Sequence, residues 1–540
     1  MSHLSKVFNQ VPVKVPNRSG FDLSHENLFS AKVGTLIPAS VEEVMPGDVV
    51  SIGSAFSVEL PPLATNFKGR VDARLEAFFV PNRILWAGWQ DFITQAKGTF
   101  ANGSVTGGGS ADVPGFGAAT IPTVSVRLAD AGVGSLADYL GFKPLDVDTT
   151  VVLNALPFLA YQKIWDDWYR DSNVQKPFFY DGLASVSSGY YYAAGSPYLR
   201  TTGTLSQYGA SPANNTSVLG VNGKYLTQLN QRNFAKDYFT TMTTRPQAGA
   251  NAALEFSVED STGSFSIASL RVANSLQKWL EKNNIAGTRY YDQILAHYGV
   301  LPPDANVDRA ILLGTVTNPV IINSLSQTSQ ETSNLQTKNP YAGSTGAQFG
   351  KGNAFGEGRL VDKFEVKEHG YIMVLFSLVP HAYYSTGCRR YLSKRSSSDT
   401  FAFPEFANIG DQPVYLSELY SPSLAFDTDE TVGYSQRYSE YKYHDDEVHG
   451  LLADGQSLDS FVLQRGFDRT ALISDSLLQI PTNYMDNVMV TTSAVSGFNA
   501  IVDCYFDSKF LRVLPEYSLP SLGEYQGSHE VDVPKGGRRL

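Results

Sequence analysis

The chain has 540 residues, 42% hydrophobic and 18% charged, and its 42 basic against 53 acidic residues leave a net charge of −11. That balance argues against a protein that holds nucleic acid unaided through a basic surface, and two cysteines, Cys388 and Cys504, exclude a disulfide framework. The length fits three or four average domains, or one large β domain with long insertions. An aromatic excess of 31 Phe and 29 Tyr suits a surface covered by partners. The opening MSHLSKVFNQ lacks the apolar core of a signal peptide, and the longest apolar run, 371–379, is too short to cross a bilayer. A soluble chain folding in a reducing cytoplasm is expected.

Residues 18–48 carry short apolar runs broken by Gly34, Pro38, Pro46 and Gly47, the pattern of strands and tight turns. His25 beside Glu26 has no nucleophile or second histidine near it in sequence, so a structural hydrogen bond is expected. Residues 70–80 predict a strand with one buried face. Val71, Ala73, Leu75, Ala77 and Phe79 alternate there with Arg70, Asp72, Arg74, Glu76 and Phe78, and Pro81 and Asn82 end it. Trp86 and Trp89 follow, and the seven glycines within 98–117 predict a long loop.

The stretch 154–177 predicts the central helix. Pro157 suits its first turn, where a missing N–H costs nothing. Phe158, Tyr161, Ile164, Trp165 and Trp168 recur at spacings of three and four, which is one helix face. Leu159 and Tyr169 widen the apolar arc beyond the need of a surface helix, so contacts on more than one side are expected. Asp171, Ser172 and Asn173 close it. Trp165, Trp168 and Arg170, with Trp86 and Trp89, are candidate anchors of a core or a subunit interface.

Residues 182–230 contain only two charged residues, Arg200 and Lys224, but six tyrosines: Tyr190, Tyr191, Tyr192, Tyr198, Tyr208 and Tyr225. Tyrosine among Ser, Gly and Asn is the composition of adaptable recognition loops, with a disordered loop as the alternative. Residues 269–283 predict an amphipathic helix with Leu270, Ala273, Leu276 and Leu280 on one face. Residues 288–298 predict a short helix closed by Gly299, and the Ser-, Thr-, Gln- and Gly-rich 323–358 a second long loop. The run 371–379, apolar on both alternating faces, predicts a central strand covered on both sides. Phe498, Ala500, Val502, Cys504 and Phe506 predict a last barrel strand.

The wording LP-F-AY---W-RD-N, on Leu156, Pro157, Phe158, Ala160, Tyr161, Trp168, Arg170, Asp171 and Asn173, resembles the major capsid proteins of Microviridae, small tailless single-stranded-DNA phages, and among them the gokushovirus branch. FDLSH near the start, FFVPNR with Trp86 and Trp89, DYFT with PQ-G at 233–249, GTRY, HYGV, GYSQRYSEYKY at 433–443 and P-YS-P-L at 515–522 fall in family order. The short strands and few helices already point to an all-β chain. The resemblance implies an eight-stranded antiparallel jelly roll of viral capsid type with long loop insertions. It implies a single domain over 1–540, with a core built from about 30–97, 232–265, 359–385 and 485–515. By the same resemblance, 182–230 forms a protrusion at the threefold axes, and its tyrosine-rich, charge-poor composition points to a role in host attachment. The implied function is self-assembly through pentamers into a T=1 icosahedral shell around circular single-stranded DNA. The implied partners are copies of itself, the genome, a small basic DNA-binding protein, a minor or pilot capsid protein and a host surface receptor. The expected location is the virion, assembled in the bacterial host cytoplasm.

No catalytic constellation stands out. The sequence has no G-x-S-x-G elbow and no C-x-x-C pair, and Gly350-Lys351 lacks the remainder of a phosphate loop. In HDDEVH, His444, Asp446 and His449 are candidate ligands of a divalent metal, with a polar turn as the plainer reading. Arg389, Arg390, Lys394 and Arg395 around Tyr391 suit single-stranded DNA, or equally a solvated loop or salt-bridged face. The acid-free termini offer Lys6, Lys14, Arg18, Lys535, Arg538 and Arg539 as DNA contacts, or as mobile solvated ends. No cofactor is expected. The competing function is a carbohydrate-active β-sandwich enzyme with paired acids in an aromatic cleft.

Overall fold

The computed structural model describes residues 10–86, 89–94, 123–127, 133–142, 150–175, 204–206, 228–246, 267–287, 289–326, 348–395, 397–408, 410–425, 430–468, 470, 473–490, 497–516 and 528–534. Its strands come in three groups. β1 (Gln10–Pro16), β2 (Ser19–Asp22), β3 (His25–Ala31), β4 (Ile37–Val44), β5 (Val49–Glu59) and β6 (Val71–Pro81) follow one another closely. A long insertion holding β7 (Thr123–Arg127), β8 (Thr150–Asn154) and β9 (Thr204–Ser206) separates them from β10 (Ile311–Pro319), β11 (Ile321–Ser326), β12 (Gln348–Glu365) and β13 (Gly370–Pro380). A second insertion, with β14 (Asp411–Tyr415) and β15 (Thr431–Gln436), leads to β16 (Ala500–Arg512), and β17 (Ser528–Pro534) follows.

One sheet runs β10-β6-β13-β4 and the other β11-β12-β5-β16-β2, with β3 also paired to β16. Along the chain β3, β4, β5 and β6 alternate between the two sheets, and so do β10, β12, β13 and β16. The two series meet at β6 and β10, antiparallel neighbours in one sheet. This is the path of the jelly roll implied by the sequence resemblance. Alternation of side chains explains the core: Val50, Ile52, Phe56 and Val58 of β5, with Val502, Cys504 and Phe506 of β16, meet Leu75, Ala77, Ile372, Val374 and Phe376 from the facing sheet. Cys388 and Cys504 are free thiols.

Several sequence expectations need correction. β6 was expected to bury one face, but Phe78 and Val80 are buried on its other face, and Glu76 is largely covered as well. The central helix lies over that face, which no pattern local to the strand reveals. The expected loop 323–358 is strand at both described ends, in β11 and β12, while 327–347 lie outside the described residues. Its glycines read as loop, yet they permit close packing. A Cβ on Gly356 would sit 2.4 Å from the Phe56 ring, and one on Gly314 of β10 would sit 2.0 Å from the Leu360 carbonyl.

The segment 232–265 contributes no barrel strand among its described residues, which form isolated bridges from Asn233 to Gln479 and from Thr243 to Tyr434. The strand at that place in the path is β10, and the buried core begins at Ala31, the last residue of β3. The two helices after it run Ile267–Ala286 and Tyr290–Tyr298, the second closed by left-handed Gly299 at φ 67°. Residues 98–117 lie outside the described residues.

Phe376 sits between Phe29 and Phe56, edge to face at 5.5 and 6.4 Å. Phe376→Ala is expected to destabilise the subunit by about 3–5 kcal/mol. The check is a lower denaturant midpoint at unchanged slope.

Candidate subunit and nucleic-acid interfaces

The central helix, Leu156–Ile164, begins where the Asn154 side chain accepts the Leu156 N–H at 3.0 Å, with Pro157 in the first turn. It then widens into a π-helical turn, Trp165–Tyr169, in which the Arg170 N–H reaches the Trp165 carbonyl at 3.0 Å. The wide apolar arc is accounted for by contacts all round. Phe158, Leu159, Tyr161, Ile164 and Trp165 pack with Phe78 and Val80 of β6 and with Tyr371, Met373 and Leu375 of β13. The buried Tyr161 hydroxyl donates to the Leu36 carbonyl at 2.9 Å and accepts the Asn230 N–H at 2.8 Å. Trp165 donates to the Gln231 carbonyl at 3.1 Å, and Trp168 to the Ala310 carbonyl at 2.8 Å with the Arg309 guanidinium 3.8 Å above its ring.

Arg170 is held by Asp166 at 2.5 Å, and Trp86 and Trp89 are buried in the same cluster. Trp86, Trp89 and Trp165 are thus buried in the core of the subunit, while partly buried Trp168 packs against it and lines a cleft with Arg170. Sequence reading missed the cluster beneath them. Arg232 pairs with Glu76, and the Tyr169 hydroxyl donates to that carboxylate at 2.6 Å. Burial, then the Glu76 charge, pushes the Tyr169 phenol well above its ordinary value. Glu76 and Arg232 are too far apart in sequence for any local motif to join them.

The basic cluster lies in the second insertion, on the wall of a cavity of about 860 Å³. Its cations are paired. Arg389 meets Glu447 at 2.7 Å, Arg390 meets the buried Glu418 at 2.9 Å, and Arg395 meets Glu440 at 2.8 Å. Lys394 lies 4.0 Å over the Tyr415 ring, while Tyr391 stays exposed. The arrangement holds the insertion together around Tyr238, whose hydroxyl donates to Glu418 at 2.9 Å.

HDDEVH is an irregular, partly buried stretch, bridged to Tyr384 at Glu447, that scatters its side chains. His444 accepts from Arg389 at 2.6 Å, His449 lies 3.1 Å from Glu447, and Asp446 points to solvent. Among the described residues no three His, Cys, Asp or Glu side chains converge as metal ligands would. His25 takes the Leu23 carbonyl at 3.0 Å, a local structural contact. Of the basic ends, exposed Arg18 lies 3.7 Å from Glu365, and Lys14 is on β1, in register with Glu530 of β17. The pairing of β1 with β17 thus joins the two termini in one ribbon. Lys6, Lys535, Arg538 and Arg539 lie outside the described residues, as do Tyr190, Tyr191, Tyr192, Tyr198 and Tyr208. No helix among the described residues is long and apolar enough to cross a membrane.

A family model described as Capsid protein (F protein) matches residues 9–522. The chain belongs to this phage capsid family. It is 27% identical to the Capsid protein VP1 of Chlamydia phage 1, over 95% of this chain and 97% of the relative. The Capsid protein VP1 of Bdellovibrio phage phiMH2K is 25% identical, over 96% and 98%. That of Spiroplasma virus 4 is 24% identical, over 94% and 95%. The gokushovirus-type resemblance read from the sequence stands, and the capsid protein is a structural component of a virion. The carbohydrate-active alternative falls with it.

Burial, then repulsion from Asp237, raises the Asp445 carboxyl to about 6, with Glu447 raising and His444 lowering it further. The folded protein then binds the proton more tightly than the unfolded chain, so stability falls as pH rises from about 4 to about 6. Asp445→Asn is expected to flatten that part of a melting-temperature profile and to raise the melting temperature at pH 7.

Proposed function

We propose that this capsid protein closes with copies of itself, through pentamers, into a T=1 icosahedral shell around a circular single-stranded DNA genome. The single observation that carries the reading is the jelly-roll path, together with the capsid-family match over nearly the whole chain. Identical rigid subunits with heterologous contacts close when the rotation between neighbours closes, and a β-sandwich supplies the rigid wedge. Segment 182–230, rich in tyrosine and poor in charge, serves host attachment at the threefold axes, meeting a surface receptor. A minor or pilot capsid protein completes the particle. Negative-stain electron microscopy of the expressed chain is the test. Uniform small shells or pentamers support the reading, and a strictly monomeric protein at high concentration sinks it.

The charge favours help in packaging. At −11 the subunit has no cation surplus to replace the counterions of packed phosphates. A small, strongly basic protein inside the shell supplies them, and the coat adds a few Lys, Arg and aromatic contacts that read no sequence. The isolated subunit should therefore bind single-stranded DNA weakly, with a shallow dependence on salt. Tight binding with a steep salt slope would mean that the coat packages the genome unaided. Replacing 182–230 by a short Gly/Ser linker should leave assembling particles that no longer adsorb to the host.

A further inference from the structure

We infer that the outward face of helix Ile267–Ala286 is a contact between copies of this chain, seated on the acidic turn of a neighbouring copy that follows β15. The inference rests on the shell-forming reading above. The helix is tied to its own subunit at its C-terminal end. Asn283 and Asn284 are buried there, Asn284 donates to Asp411 and Thr243 at 3.3 and 3.2 Å, and Asn283 meets His297 at 2.6 Å. The apolar stripe that stays exposed is not the face read from the sequence, with which it shares only Leu276, and its Trp279 also rests on the His297 ring of the same chain at 6.1 Å. Val272, Leu276 and Trp279, at i, i+4 and i+7, are 65, 43 and 50% exposed. Single exposed apolar residues are ordinary, but an aligned stripe that includes a tryptophan is the composition of an interface core.

Charge selects the occupant. The helix carries exposed Arg271, Lys278 and Lys282 against Glu281, in a chain whose net charge is −11. A second copy is therefore acidic overall towards this helix. It also offers a matching surface, since the turn between β15 and β16 exposes Tyr443, Leu451 and Leu452 beside exposed Asp446 and Asp454. Helix and turn border one cleft, lined by both Ile285 and Tyr443. Two copies related by a twofold axis can therefore set helix on turn twice in one contact. The contact buries the apolar stripe and places Lys278 and Lys282 against carboxylates, which sets its register.

The test compares sedimentation of the wild type, of Leu276→Asp/Trp279→Asp and of Lys278→Glu/Lys282→Glu, with the melting temperature of each unassembled subunit. Both variants are expected to give about tenfold fewer assembled species, a change of about 1.4 kcal/mol, at unchanged subunit melting. Adding Asp446→Lys/Asp454→Lys to the charge variant should restore assembly. Normal assembly of both variants overturns the inference and leaves the shell reading intact. A drop in subunit melting for both also overturns it, because the face would then be covered by the same chain. Loss of binding to anionic phospholipid vesicles with assembly intact assigns the face to a membrane and overturns it as well. A wild type that forms twofold dimers without closing shells keeps the contact and sinks the shell.

Discussion

A strand with no polar face cannot stand at a surface, and β13, buried along its whole length, imposes that constraint on the entire subunit. One of its faces is met by the opposite sheet. The other needs a second layer, supplied by the central helix and the turns around Trp86. Each fully buried side chain there is worth about 1.5–3 kcal/mol over exposure. The long insertion between β6 and β10 is therefore part of the core rather than an appendage to the barrel. Its first task is to bring Tyr161, Trp165 and Trp168 over the sheet. The tryptophan N–H groups and the Tyr161 hydroxyl meet carbonyls of segments that must return to the same place, at Leu36, Gln231 and Ala310. Hydrogen bonds of this kind add modest net energy, but leaving the donors unmet would cost about 1–3 kcal/mol each, so they fix where the insertion re-enters.

The same economy governs charge. Arg232 with Glu76 and Arg390 with Glu418 are buried pairs between segments distant in sequence. Such pairs add little net stability over well-packed apolar residues, yet losing one partner leaves a buried charge at a cost of about 3–5 kcal/mol. They act as registry pins for the two insertions. Cations held this way are engaged within the subunit, so the densely basic block 389–395 holds the second insertion together through Glu447, Glu418 and Glu440.

Much of the barrel was legible because strand patterns survive in sequence: period two at 70–80 and in the strand through Val502, and an unbroken apolar run at 371–379, all appear where expected. β12 escaped notice because its glycines, Gly356 against Phe56 and Gly358 against Val316, have the composition of a loop. β10 escaped because the segment at 232–246, which carries the family wording, supplies aromatics such as Tyr238 and Phe239 to the side cluster of the second insertion instead. The anchors of the central helix were visible as residues, but whether they face core or partner depends on what lies across from them, and periodicity does not carry that. Ion pairs were invisible for the same reason: Arg389 and Glu447 look like parts of two separate charge clusters until the fold joins them.

The two sheets are treated unequally, and that asymmetry bears on assembly. The β10-β6-β13-β4 sheet has a covered back. The back of the other keeps Leu28, Phe355, Ile501 and Tyr505 exposed on β3, β12 and β16. A free-living monomer would carry polar residues at those outward positions, since alternation leaves the choice free on a solvent-facing strand. An aromatic-rich, acid-biased chain that leaves one sheet face and one helix stripe partly apolar instead keeps surface that association would cover. The insertions thus divide the work: the first finishes the core that the barrel cannot bury alone, and the surface left unfinished is what a lattice of copies can share.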